Sequence, residues 1–386
     1  MLVILLILLM TIVVVYRIFF IPNLTQGRVI LEPEVDQGRL LPSFPRRVRI
    51  LVPKISSGLA QDAKIYHALI PNSYIVEVDR SVVALNIEAN IKADINLYLE
   101  NIFPLCYFPA KERWIMVNQE YLFADQLSSL DVFFCKTRYA EKLLIEKGLG
   151  HKVVYLGHTS LPPSTLRKKD PLLCLHLAGQ SSLKNTRALI EVWQEHDGFQ
   201  DRQPGIRLVI TCRGGCYTEI KNLVSNLPLK EDHWEDLRTQ LFIYPNLPND
   251  LYSEYLETAS LFICPSGVEG YGHYINEGRS RRALVLTTNF APMNELVSEE
   301  DGILVPSTST CPSWQLTNTP SNKLLLKDES RGCLISKKDL TNALQEYFSL
   351  SQEEKERRAA KSYQRYLDET QQFRENLKAF LLAKSS

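Results

Sequence analysis

Residues 241–305 read LFIYPNLPNDLYSEYLETASLFICPSGVEGYGHYINEGRSRRALVLTTNFAPMNELVSEEDGILV, and the periodicity of this stretch decides the fold. LFIYPNL, SLFICPS and ALVLTT are short runs dense in apolar residues, each with the length of a strand buried on both faces. Between the first two lies NDLYSEYLETA, an amphipathic helix with Tyr252, Tyr255 and Leu256 on its core face. After the second comes EGYGHYINEGRSRR, a two-glycine loop that runs into a helix. Strand, helix, strand, loop, helix, strand is the order of a parallel sheet covered by helices. Ligands bind such sheets at the C-terminal ends of the strands. The loop with Glu269, Gly270 and Gly272, and the helix start with Glu277, are therefore the candidate site. Glycine lets backbone N–H groups approach a ligand with no Cβ in the way, and a helix N-terminus favours phosphate.

The same alternation extends in both directions. Upstream, LLCLHLAG is a strand ending in Gly179, KNTRALIEVWQEH an amphipathic helix and IRLVITCRGG a further strand. Before the break LPPSTLRKKDP, a first series opens with RVRILVP, a Ser-Ser-Gly turn at Ser56 to Gly58, and a helix with Leu59, Ala63, Tyr66 and Leu69 or Ile70 facing inward. SYIVEVD, ADINLYLEN, RWIMVNQEYL, DVFFCKT and KVVYLGHTS continue it as strands. From about Ser336 the pattern is helical and charged, a tail that packs across the lobes. At 386 residues the chain exceeds one comfortable core and suits two domains.

Hydrophobic residues make up 45% and charged residues 23%, with Lys+Arg and Asp+Glu equal at 44 each, so nothing in the balance suggests a nucleic-acid partner. The eight cysteines show no metal spacing: Cys212 and Cys216 lack the second pair a zinc site needs. They read as reduced thiols in a reducing compartment. The N-terminus departs from this ordinary picture. MLVILLILLMTIVVVYRIFFIP is apolar from Leu2 to Tyr16 and again after Arg17, long enough for a single-pass anchor if Arg17 reaches the headgroups. The arginines that follow it, Arg17, Arg28, Arg39, Arg46, Arg47 and Arg49, place the body on the cytosolic side by the positive-inside rule. The expected organisation is an anchor at 1–21, a linker at 22–46, an α/β domain at 47–165, a second at 166–335 and terminal helices at 336–386.

Taken in order, Pro265-Ser266, Glu269, Gly270, Gly272, Glu277, Thr287-Thr288, Pro292, Glu295 and DGILV resemble the donor-binding half of retaining glycosyltransferases of family 4 and their relatives, with the Glu-x7-Glu signature at Glu269 and Glu277. The resemblance implies an α/β GT-B fold, two Rossmann-like domains facing a cleft, and transfer of a sugar from a nucleotide-sugar donor to an acceptor hydroxyl of a glycan, protein or lipid. It implies retention without a protein nucleophile, and neither cofactor nor metal. Glu277 would take the ribose diol, Glu269 face the sugar ring, and Lys184 neutralise the diphosphate. Gln180, in the donor-binding set, stands where the family has an arginine, so that one of the two phosphate cations is missing or is supplied from elsewhere, by Arg187 or Arg213. In the first lobe Gly58 fits the glycine-bearing loop, Asn118 or Glu120 the segment near the reacting carbon, and Lys136 and His158 the ends of later strands. Tyr271 and His273 join the donor set, although His273 and Tyr274 replace the family's commoner aliphatic and proline residues, which bears on sugar identity.

Other readings stand beside this one. A nucleotide-sugar epimerase on the same fold would isomerise its donor with no acceptor. A catalytically silent scaffold would bind donor without turnover, a reading that Gln180 keeps open. A lumenal body would show glycosylation at the Asn23-Leu24-Thr25 sequon.

Overall fold

The computed structural model describes residues 29–30, 39–53, 57–78, 92–100, 102, 108–163, 165–230 and 232–385. The expected anchor at 1–21 and most of the linker at 22–46 lie outside them. Among the described residues no helix is long and apolar enough to cross a membrane. The chain divides into residues 1–113 and 114–386.

In the first unit, β1 (Val29–Ile30) pairs antiparallel with β3 (Ser73–Val78), and β2 (Val48–Pro53) lies parallel between β3 and β4 (Ile95–Leu99). All six residues of β2 are buried, as a strand covered on both faces requires. The helix Ser57–Leu69 buries Leu59, Ala63, Tyr66 and Leu69, the helical spacing read from the sequence. It begins earlier than that reading placed it: Gly58 sits in its first turn rather than in a loop. Inward rotation of Leu59 and Ala63 sets the helical phase here and overrides the turn preference of Ser-Ser-Gly.

The second unit opens on β5 (Glu112–Val117), which runs parallel to β6 (Val132–Cys135) and through it to β7 (Val153–Tyr155), with the helix Arg138–Glu146 between β6 and β7. A second sheet follows in the order β10-β11-β9-β8-β12-β13-β14. Its strands are β8 (Asp170–Gly179), β9 (Arg207–Cys212), β10 (Trp234–Asp236), β11 (Leu241–Tyr244), β12 (Ala259–Cys264), β13 (Leu284–Asn289) and β14 (Ile303–Pro306). All pairings are parallel except β10 with β11. From β8 the chain builds outward through β9 to β11, then returns to place β12 on the other side of β8. Adjacent β8 and β12 therefore flank a topological switch point, where the loops leave the sheet in opposite directions and open a crevice.

Two pieces were not legible in the sequence. The helix Gly214–Val224 starts on the Gly-Gly that the sequence reading assigns to the strand IRLVITCRGG; the strand ends at Cys212, and Gly214 at φ +55° begins the helix. A two-stranded ribbon, β15 (Ser309–Pro312) with β16 (Arg331–Leu334), follows β14. Its Gly332 lies where a Cβ would come within 2.4 Å of Val268, so the ribbon backs directly onto the site loop.

The charged C-terminus forms the helices Lys337–Ser349 and Gln352–Ala383. Near the end of the second, Phe380 meets Trp114 and Phe134 edge-on, with ring centroids 5.0 and 4.9 Å away, and Asn376 donates to the Leu156 carbonyl at 3.1 Å. Earlier in the same helix Glu369 pairs with Arg279 at 2.8 Å, so one helix ties β5 and β6 to the helix His273–Ser280.

Candidate active site

The site is assembled from the loops that leave β8 and β12. After Gly179 the chain makes a single tight turn, Ser182–Lys184, capped by the Ser181 hydroxyl, which accepts from Leu183 N at 3.2 Å. Asn185 in the left-handed region (φ +52°) redirects the backbone into the helix Thr186–Glu195. That turn folds the Lys184 side chain back over the strand end. Its Nζ donates to the Leu177 carbonyl at 3.0 Å and stands 3.7 Å above the centre of the Tyr274 ring. The β8 and β12 loops are then knitted together: Asn185 Nδ2 donates to Pro265 O at 2.7 Å and Gly267 N to Leu183 O at 2.9 Å.

In the β12 loop the buried Ser266 hydroxyl donates to Glu269 Oε1 at 2.6 Å, and Thr288 at the end of β13 donates to Ser266 O at 2.7 Å. Gly272 at φ +107° turns the loop into the helix His273–Ser280, a conformation that L side chains avoid. Gly270 is needed for space: a Cβ there would sit 2.4 Å from Asn118 Oδ1. Asn118 is thus laid against the Glu269 loop, and its neighbour Gln119 donates from Nε2 to Glu269 O at 2.7 Å. The reading offered Glu120 but passed over Gln119, because nothing in NQEYL says which side chain faces a loop 150 residues away. Glu120 is buried.

Glu277 lies in the second turn of the His273–Ser280 helix and is 8% exposed. The helix Asn249–Thr258 carries Tyr252 up to it: the Glu277 charge, followed by burial, pushes the Tyr252 phenol above its ordinary range. Tyr252 read as a core residue from its spacing, and it packs, half-buried, against the core cluster that holds Tyr244, Leu256 and Phe262. Tyr271 is buried, with its ring edge-on to His158 at 4.8 Å, and Asn276 Nδ2 donates to its hydroxyl. His158 also meets the rings of His273 at 5.5 Å and Phe373 at 5.3 Å, and Ser160 Oγ bonds His273 Nδ1 at 2.9 Å. The β7 loop is thereby packed against the start of the site helix.

Of the two substitute cations, Arg187 is committed to Glu191 one turn along its own helix at 2.9 Å. Arg213 is placed differently. Its backbone N donates to Gly179 O at 2.7 Å, its side chain is exposed, and the adjoining Gly214 backs onto Gln180, whose carbonyl accepts from Cys216 N at 3.1 Å. Arg213 and Gln180 therefore share one strand end. Lys136 is buried just past β6. Glu295, part of the motif order, caps a helix: its carboxylate accepts from Arg138 N and Tyr139 N, both at 2.7 Å, at the start of Arg138–Glu146. Gly58 belongs to the first unit and is described there alone. The seven described cysteines are all free thiols.

His176, in the middle of β8, holds the site's floor. It bonds Ile263 O at 2.7 Å through Nδ1 and Thr186 Oγ1 at 2.9 Å through Nε2, and complete burial pulls its pKa down to about 4. The imidazole is thus neutral, Nδ1 donating and Nε2 accepting. An unfolded histidine binds its proton near pH 6.5, so this group's contribution to stability is whole above that pH. It is lost as pH falls toward 4, by about 3 kcal/mol in total. His176→Gln is expected to flatten the decline of the urea midpoint between pH 6.5 and 4; an unchanged decline would count against this assignment.

With this geometry in hand, comparison places the chain among known proteins. In fold it is similar to a trehalose-6-phosphate synthase studied with bisubstrate glycomimetics (9% identity, TM-score 0.58, covering 87% of this chain and 99% of that one). It is similar also to HepE of Anabaena in complex with UDP and glucose (10%, TM-score 0.56, covering 86% and 100%). The pneumococcal O-GlcNAc transferase GtfA, in complex with UDP and GlcNAc, follows (15%, TM-score 0.52, 75% of this chain). This chain spans only 56% of GtfA's length. No curated protein matches the chain in sequence. The family model described as "Glycosyl transferases group 1" matches residues 158–311, a stretch that contains Lys184, Glu269, Glu277 and the whole switch point. Across those residues the chain is similar to the group 1 glycosyl transferases.

Proposed function

We propose that this protein transfers a sugar from a nucleotide sugar to an acceptor hydroxyl, with retention at the anomeric carbon. The observation that carries the reading is the convergence of Lys184, from the β8 loop, with Glu269 and the helix of Glu277, from the β12 loop, at the switch point of one parallel sheet. In this reading Glu277, edged by Tyr252, accepts from the ribose diol, and Glu269 from the sugar hydroxyls. Lys184 faces the diphosphate, with Arg213 as the second cation in place of the position held by Gln180. The bond between anomeric carbon and diphosphate oxygen breaks as the bond to the acceptor oxygen forms on the same face. The acceptor's proton passes to a diphosphate oxygen, and Lys184 meets the charge that develops there. Two protein cations at the diphosphate support a reaction that needs no metal. Asn118, packed on Gly270, borders the sugar side. The wider proposal keeps a GT-B arrangement, an N-terminal anchor supported by the apolar run of residues 2–16, and a cytosol-facing body.

The test is a screen of the full chain in detergent with labelled UDP- and GDP-sugars and EDTA, beside Glu277→Ala. Transfer or slow hydrolysis of one donor is expected, with donor affinity in Glu277→Ala down by about tenfold to a hundredfold, the worth of hydrogen bonds to a charged group. Donor binding equal in both proteins would remove the ribose role. Sugar isomerised with no acceptor would favour the epimerase, and binding without any turnover the scaffold.

A further inference from the structure

Tyr274 occupies the second position of the site helix, is 3% exposed, meets Lys184 directly and reaches Glu269 through Ser266. Its hydroxyl is bonded to Ser266 Oγ, and Ser266 Oγ donates its one proton to Glu269 Oε1 at 2.6 Å. The direction of the chain follows: Tyr274 O–H donates to Ser266, and Ser266 to the carboxylate. Burial supports this by holding the phenol far above its ordinary pKa, so the proton stays on Tyr274. The ring face, meanwhile, carries the half-buried Lys184 ammonium 3.7 Å from its centre, a cation–π contact. One rigid side chain thus holds the cation on its face and, through Ser266, the anion at its edge. Lys184 donates to Leu177 O and Glu269 accepts from Ser266. Each charge is held in place by a neutral partner, which keeps the two from collapsing into a mutual ion pair.

We infer that Tyr274 is a positioning residue that sets the spacing between the diphosphate cation Lys184 and the sugar-facing carboxylate Glu269, with its ring serving the first and its hydroxyl the second. The inference rests on the donor-binding reading above and goes further by dividing one residue's effect between two halves of the substrate. It concerns a position at which this sequence departs from the proline common in the proteins it resembles.

The two roles separate by substitution in the full-length chain, with free UDP and GDP as probes of the cation and the turned-over UDP- or GDP-sugar as probe of the carboxylate. Tyr274→Phe keeps the ring and removes the hydroxyl. The affinity for free nucleoside diphosphate should stay within about twofold while kcat/KM for the nucleotide sugar falls about tenfold, the worth of a hydrogen bond to a charged group. Ser266→Ala interrupts the same chain without touching Tyr274 and should reproduce that pattern, which guards against a buried Tyr274 variant that folds poorly. Tyr274→Leu removes the ring as well, and diphosphate affinity should then fall about tenfold too. Equal losses of diphosphate affinity in Tyr274→Phe and Tyr274→Leu, or no change of kcat/KM in Tyr274→Phe and Ser266→Ala, would overturn the inference while leaving the donor reading intact. If the wild type bound neither diphosphate, the donor reading would fall, and this inference with it.

Discussion

Lys184→Ala is expected to lower kcat for sugar transfer by about 10²- to 10³-fold, the usual cost of removing one preorganised group that meets developing charge in the transition state. The ammonium is prepared for that role before substrate arrives. Its position is fixed by the Leu177 carbonyl and the Tyr274 ring, and the tight turn Ser182–Lys184 is held by the Ser181 cap and the left-handed Asn185. An ammonium has three donors, and the carbonyl engages one. No rearrangement is then needed when negative charge grows on the departing diphosphate. Because Lys184 is a loop residue with no part in the core clusters, the variant should melt close to wild type. Single-turnover kinetics at saturating donor would isolate the effect. A fall of less than tenfold would mean that the charge is met elsewhere, with Arg213 the first residue to test. Lys184→Arg should recover only part of the rate, since a guanidinium stacked on the Tyr274 face carries its charge and donors in a planar fork rather than at the point where the ammonium donates to Leu177 O.

Glu369→Ala is expected to destabilise the protein by about 3 kcal/mol, the lower end of the range for breaking a buried ion pair, because Glu369 itself reaches solvent while its partner does not. Arg279 is 0% exposed; its Nη1 donates to Glu369 at 2.8 Å and to Asn276 Oδ1 at 2.6 Å, and its Nε and Nη2 are buried without a partner among the described residues. Removing the carboxylate takes away the one ion pair that Arg279 makes among the described residues. The consequence reaches the site, because Arg279 lies two residues after Glu277 in the same helix and Asn276 joins Arg279 to the Tyr271 hydroxyl. Urea unfolding reads the stability, and nucleoside diphosphate titration the site. A loss below 1 kcal/mol would show that water replaces the carboxylate. The double variant Arg279→Met with Glu369→Leu should recover much of the loss, as apolar replacement of buried pairs often does.

The second sheet was legible in the sequence because its signal is local. Each of β8, β9, β11, β12 and β13 is a run of apolar residues, and a strand buried on both faces needs nothing else. The stretch with Glu269, Gly270, Gly272 and Glu277 was legible for the same reason: a glycine at φ +107° and a carboxylate in the next helix are properties of nine consecutive residues. The helix Gly214–Val224 was not, since its two opening glycines carry the same local signal as a loop. Nor was Gly58, where packing of Leu59 and Ala63 outweighed the turn preference of its neighbours.

The sequence by itself determined which segments become strands and helices, and which loop carries paired carboxylates. Periodicity and glycine placement act within one turn or one strand, and a single chain displays them directly. Only the tertiary structure decided which side chains meet. Gln119 reaches Glu269 across 150 residues, Ser160 reaches His273 across 113, and Lys184 comes to rest on Tyr274 because β12 returns to lie beside β8. Those meetings depend on strand order and on the direction each side chain takes in a closely packed interior, and no local pattern records either.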